Sequence, residues 1–180
     1  MRTLTGLMAL TLCAAPLAAQ SPTIVFLVRH AEKSASPAAD PPLNTAGTAR
    51  AGALTEALSN AGIGAIIAAP DTRTRATVAP LAGKLGVEIT TLPPGASNAA
   101  YAQAVADAVK KLAGKAVLIA GHNNTINLIA AALGGPKLPD LCEGDYDQLF
   151  TMELMPTGPP RFVRSRYGAR ATDAACEAMR

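Results

Sequence analysis

Thr23-Ile24-Val25-Phe26-Leu27-Val28 is rich in β-branched residues, has no polar interruption after its threonine, and ends abruptly in Arg29-His30. A strand with one wet face alternates apolar and polar residues. A run without alternation is the pattern of a strand buried on both faces, in a sheet covered by helices on either side. Reading outward, a polar, proline-rich loop at 33–44 leads to residues 46–61, where Ala51, Leu54, Leu58 and Ala61 keep helical spacing before Gly62. Residues 64–69 form a second apolar strand. Residues 71–85 read as a helix bent by Pro80, and 87–91 as a short third strand. Ser97 can cap a helix that buries Tyr101, Val105, Ala108 and Leu112. Residues 116–120 make a fourth strand and 123–133 a further helix ending at Gly134-Gly135. Residues 149–155 and 162–167 flank Thr157-Gly158-Pro159-Pro160, the pattern of an antiparallel hairpin. Four strand–helix units in succession predict an α/β fold: a three-layer α/β/α sandwich with a mostly parallel central sheet and an antiparallel edge hairpin.

Composition bounds the function. The chain has 180 residues, 49% apolar and 16% charged, which suits one domain and argues against disorder. Aromatics at 3%, the absence of tryptophan and a net charge of only +3 exclude base-stacking platforms and give no nucleic-acid partner. Residues 1–19 have the layout of a secretory signal peptide: Arg2, an apolar stretch at 4–15, and Leu17-Ala18-Ala19 as a small-residue exit. Cleavage after Ala19 leaves a single domain at 20–180, exported and therefore periplasmic or secreted. Leu12 before Cys13 is the wrong residue for a lipid-anchored cysteine, so no stable membrane anchor is expected. Cys142 and Cys176 survive cleavage, and one disulfide between them is the simple expectation in an oxidising compartment. It would close a loop of roughly 35 residues and stabilise by about 3–4 kcal/mol.

In doubly wound sheets, sites form outside the carboxyl ends of the strands. The chain has two histidines, and each directly follows a strand-like run: Val28-Arg29-His30 and Ala120-Gly121-His122. Arg73 and Arg75 follow another. A single such histidine is most often structural; two, with arginines brought to the same sheet edge, are a constellation for phosphoryl groups. Guanidinium offers a planar fork of donors to phosphate oxygens, and a neutral imidazole can attack phosphorus.

The segment Leu27-Val28-Arg29-His30-Ala31-Glu32-Lys33 resembles the signature of the histidine phosphatase superfamily, which includes phosphoglycerate mutases and acid phosphatases. Further similarities fall in order: Asp40-Pro41-Pro42-Leu43-Asn44-Thr45-Ala46-Gly47, Pro70-Asp71-Thr72-Arg73-Thr74-Arg75-Ala76-Thr77, Gly121-His122-Asn123-Asn124-Thr125, and Asp145-Tyr146-Asp147-Gln148-Leu149-Phe150. The resemblance implies a phosphomonoester hydrolase that takes a small phosphorylated substrate, or phosphate. His30 would attack phosphorus and become phosphorylated, its other ring nitrogen donating to the next carbonyl. Arg29, Arg73 and His122 would clamp the phosphoryl group, and no metal or cofactor is implied. The family spacing selects Arg73 over Arg75, which is then a solvated helix residue. Asn123 is placed either to touch phosphate or to cap the following helix. Glu32 and Lys33 are placed in the loop over the site, as substrate contacts or as surface charges.

Two departures stand out. Ala31 replaces the glycine of the family's Arg-His-Gly triplet, and Leu92-Pro93-Pro94-Gly95 carries no carboxylate where mutase-like members place their general acid. Asn123 stands where phytase-like members place an aspartate. Glu32, Glu143, Asp145 and Asp147 are left as unranked candidates, and without a strong acid the expectation is a preference for good leaving groups. The near alternative is a phosphoglycerate mutase-like phosphotransferase, and the distant one a weakly active phosphate-binding or envelope interaction module. The motifs of cysteine phosphatases, serine hydrolases and nucleotide-binding loops are missing from the sequence.

Overall fold

A computed structural model describes residues 21–170. The leader expected at 1–19 and Cys176, partner in the expected disulfide, lie outside the described residues. The chain runs β1 (Thr23–Arg29), α1 (Thr45–Leu58), β2 (Ile63–Ala68), α2 (Thr72–Leu85), β3 (Ile89–Thr91), α3 (Asn98–Lys110), β4 (Ala116–Gly121), α4 (Ile126–Ala132), β5 (Gln148–Leu154) and β6 (Arg161–Arg166). Six strands form one sheet in the order β3-β2-β4-β1-β5-β6. The first four are parallel, and the β5–β6 hairpin continues the sheet antiparallel from β1.

The unbroken apolar character of β1 follows from its place in the sheet. Val25 and Leu27 enter a core with Tyr101 and Val105 of α3 and Ile126 and Ile129 of α4. Val28 faces the opposite core, made with Leu54 and Leu58 of α1 and Val78 and Leu81 of α2. Both faces are covered by helices, with Ile24 and Phe26 only partly buried, and each fully buried Val or Leu contributes about 1.5–3 kcal/mol. Asn44 and Ser97 cap α1 and α3 by accepting from the amides of Gly47 and Ala100. Gly86, at φ 66°, terminates α2 in the left-handed conformation. The helix expected to bend at Pro80 runs through it as one element. The last helix begins at Ile126, three residues later than its apolar pattern suggests. His122 to Thr125 instead form a turn, in which the His122 amide donates to Thr125 Oγ1 at 2.9 Å.

Two features of this architecture build the site. In the parallel pairing of β1 with β4, Arg29 lies opposite Gly121, and the His30 amide donates to the Gly121 carbonyl at 2.8 Å. The two histidines therefore emerge side by side. The loop after β1 is pressed against the first turn of α1, where a Cβ on Gly47 would fall on the carbonyl oxygen of Glu32. Gly47→Ala is accordingly expected to cost about 1–3 kcal/mol in urea unfolding, because backbone must shift to admit the methyl. Gly52→Ala in the same helix meets nothing within 4 Å and is expected to be neutral or stabilising by up to about 1 kcal/mol. Equal effects of the two substitutions would contradict this packing.

Candidate active site

Arg29 is buried at the end of β1, stacked on the Tyr146 ring at 4.2 Å. Its Nη1 donates to the carbonyls of Cys142 and Glu143 at 2.8 and 2.7 Å, and Nη2 meets the Glu143 carboxylate at 3.0 Å. The guanidinium is thus held from one side by the 142–146 loop. His30 is 4% exposed, and its Nδ1 lies 2.7 Å from the Ala31 carbonyl. A carbonyl accepts only, so Nδ1 carries the proton and Nε2 keeps its lone pair. The Ala31 amide in turn donates to Thr77 Oγ1, whose hydroxyl donates to the Arg73 carbonyl, so one threonine ties the histidine loop to α2.

Across the site, His122 and His30 stand edge to face with ring centroids 5.4 Å apart. His122 Nε2 lies 3.0 Å from Asp71 Oδ2, and Asp71 Oδ1 receives Arg73 Nη2 at 3.1 Å. Arg73 also faces Asp40 at 3.6 Å. The Nε atoms of Arg29 and Arg73 are buried with no hydrogen-bond partner among the described residues. Beside His122 opens a cavity of about 280 Å³, lined among others by Asp71, Pro94, Ser97, Tyr101 and Thr125.

Burial pushes the His30 imidazole down to about 3, with Arg29 adding to the effect and the Ala31 hydrogen bond opposing it. Burial also lowers His122, against the pull of Asp71. A nucleophilic imidazole is thereby kept neutral at ordinary pH. The linkage follows directly. His30 takes no proton in the fold until about pH 3, whereas in the unfolded chain it protonates near 6.5. The unfolded state binds more protons in that window, so stability falls as pH falls through it, by up to about 1.4 kcal/mol per pH unit. His30→Asn is expected to show a flatter loss of urea stability between these pH values. Parallel slopes for the two proteins would contradict the buried, neutral imidazole.

The sequence profile described as the histidine phosphatase superfamily, branch 1, matches residues 25–94, a span holding Arg29, His30 and Arg73. Over that span the chain is similar to this superfamily. His122 lies outside the matched span and reaches the site through the fold. No curated protein sequence matches the chain. Solved structures share the fold at low identity. The protein histidine phosphatase SixA complexed with tungstate superimposes with TM-score 0.64 at 18% identity, covering 79% of this chain and 96% of that one. A mycobacterial glucosyl-3-phosphoglycerate phosphatase gives 0.61 at 15% identity, covering 83% and 100%. A phosphoserine phosphatase from Entamoeba histolytica, in complex with 3-phosphoglyceric acid, gives 0.58 at 17%, covering 82% and 98%.

Most of the remaining candidates fall apart from the clamp. Arg50 engages both carboxylate oxygens of Glu32 at 2.6–2.9 Å, while Arg50 also donates to the Tyr167 carbonyl; Glu32 ties the loop to α1. Lys33 is exposed, and its backbone bridges to Leu43. Asn123 does not cap α4, whose N-cap is Thr125; its amide donates to Glu143 Oε2 at 3.3 Å. Arg75 is exposed on α2. Of the carboxylates weighed as general acids, Asp147 is fully buried against Arg166 at 2.7 and 2.8 Å, and buried Asp145 accepts from Gln148 and faces the same arginine. Glu143 is 68% exposed, on the outer side of Arg29. Asp71, which contacts both His122 and Arg73, is not among them. Its sequence signal is ordinary, an aspartate at a helix start, but its side chain makes no capping bond there. Among the described residues, no group of three or more His, Cys, Asp or Glu side chains is arranged to hold a metal ion.

Proposed function

We propose that this protein is a phosphomonoester hydrolase working through a phosphohistidine on His30. The observation that carries the reading is the pairing of two imidazoles, 5.4 Å apart, at the ends of adjacent parallel strands, with buried Arg29 and partly buried Arg73 within electrostatic range of His30. His30 Nε2 attacks phosphorus in line, the bond to the leaving oxygen breaks, and its electron pair departs with that oxygen. Arg29, Arg73 and His122 meet the equatorial oxygens, where fixed donors in a dry site are worth most. The unpartnered Nε donors of the two arginines favour an oxyanion between them. Water then attacks the phosphohistidine, and the electron pair of the N–P bond returns to Nε2. No step calls for a metal.

The adjoining cavity lies at the small end of ligand pockets, which suits a small phosphate ester. SixA and the two metabolite phosphatases make a phosphohistidine or a small phosphomonoester the natural substrate classes to assay. The segment at 1–19 adds the proposal of a periplasmic or secreted site of action. A Cys142–Cys176 bridge would anchor the loop whose carbonyls hold Arg29.

The test is product partitioning. Aryl phosphates of different leaving ability, hydrolysed in the presence of an added alcohol, should give one ratio of free phosphate to alkyl phosphate, because all pass through the same phosphoenzyme. A ratio that changes with the leaving group would refute a common covalent intermediate.

A further inference from the structure

We infer that Asp71 is the proton donor to the leaving-group oxygen, an inference that rests on the phosphohistidine reading above. The superfamily's usual acid position is a proline-rich turn here, and Glu32, Asp145 and Asp147 are committed to Arg50 and Arg166. Glu143 is turned outward beside Arg29. Asp71 alone among these carboxylates both touches the clamp, through His122 at 3.0 Å, and lines the cavity in which a leaving group can sit. It follows β2 directly and precedes Arg73 by two residues, so the element that positions the phosphoryl-binding arginine also positions the acid.

Charged and titratable groups face Asp71 from several elements. Arg73 from α2 meets its Oδ1 at 3.1 Å, and Asp40 faces the same arginine at 3.6 Å. His122 from the β4–α4 turn shares a hydrogen bond with it, Tyr101 of α3 lies within electrostatic range, and His30 stands behind His122. A phosphoryl dianion entering between Arg73 and His122 competes for both cations and sets a second negative group beside the carboxylate. Like charges at such separations are relieved by taking up a proton, which loads the Asp71–His122 pair when substrate binds. When His30 Nε2 forms its bond to phosphorus, the P–O bond breaks and its electron pair takes that proton from Asp71 Oδ. In the second step the carboxylate accepts a proton from the attacking water as the N–P bond breaks. Both protons are accounted for, and no other reactant is needed.

The preference for good leaving groups, expected when the acid position is empty, is therefore weakened. The experiment compares kcat for an alkyl phosphate, glycerol phosphate, and an activated aryl phosphate, dinitrophenyl phosphate, across pH. Wild type should show a shallow dependence on leaving group and a loss of kcat at alkaline pH as the acid deprotonates. Asp71→Asn should lose on the order of 10²-fold more on the alkyl than on the aryl ester, consistent with the usual worth of acid catalysis. Its alkaline loss of kcat should disappear, and Asp71→Glu should restore both properties in part. Equal losses on both esters with an unchanged pH profile would reduce Asp71 to a structural partner of His122 and overturn the inference. So would a steep leaving-group dependence in the wild type, a result that needs no folded variant. Failure of the phosphohistidine reading looks different: leaving-group-dependent partitioning in the wild type, whatever Asp71 does.

Discussion

His30→Ala is expected to lower kcat/KM for an aryl phosphate by on the order of 10⁴-fold or more, with little loss of fold. Removing a covalent nucleophile leaves only binding and electrostatic stabilisation to act on water, and the residual rate reports those alone. The fold should survive because the imidazole is buried neutral and its one internal bond is to the adjacent Ala31 carbonyl. Its amide, which pins β1 to β4 through Gly121, is untouched. The measurements are steady-state kinetics and urea unfolding on the same preparation. Near-normal turnover in a folded His30→Ala protein would leave no role for attack by this nitrogen.

Arg29→Lys should be the second severe change, although it preserves charge. The guanidinium spends Nη1 on two carbonyls, Cys142 and Glu143, and Nη2 on Glu143, while its plane lies over Tyr146. That leaves Nε directed at no protein group among the described residues. An ammonium ion has no fixed fork, so it can satisfy the loop or the phosphoryl oxygens, not both. Loss of the oxyanion donor should cost about 10²–10³-fold in kcat, and the orphaned carbonyls about 1–3 kcal/mol of stability. A variant with lower stability but unimpaired kcat would assign Arg29 to the loop alone.

Much of this was legible in the sequence because the determining patterns are local. Apolar runs of five or six residues mark central strands, and the parallel topology they imply brings strand-terminal residues to one edge; that singles out Arg29, His30 and His122, while the choice of Arg73 over Arg75 rests on the family resemblance. Helix ends were less legible where a single side chain decides them. Thr125 turns back onto the His122 amide and delays α4 to Ile126, which apolar spacing does not register. The carboxylates were the least legible. Whether Glu32 faces substrate depends on Arg50, eighteen residues away, and Asp147 on Arg166, nineteen away; such ion pairs have no periodicity. Asp71 was hidden by the reverse effect, since an aspartate before a helix has an ordinary explanation in capping. Only the absence of a cap bond, together with a contact to a histidine fifty-one residues on, separates it from that role.

The central claim is that His30 Nε2 carries the phosphoryl group during turnover. It is tested most directly by quenching the working enzyme in alkali, which preserves phosphohistidine, and locating the label by mass spectrometry and ³¹P NMR. The account predicts one phosphoryl group per active chain, on Nε2 of His30. A label on any other residue, or none in a chain that is turning substrate over, would contradict it.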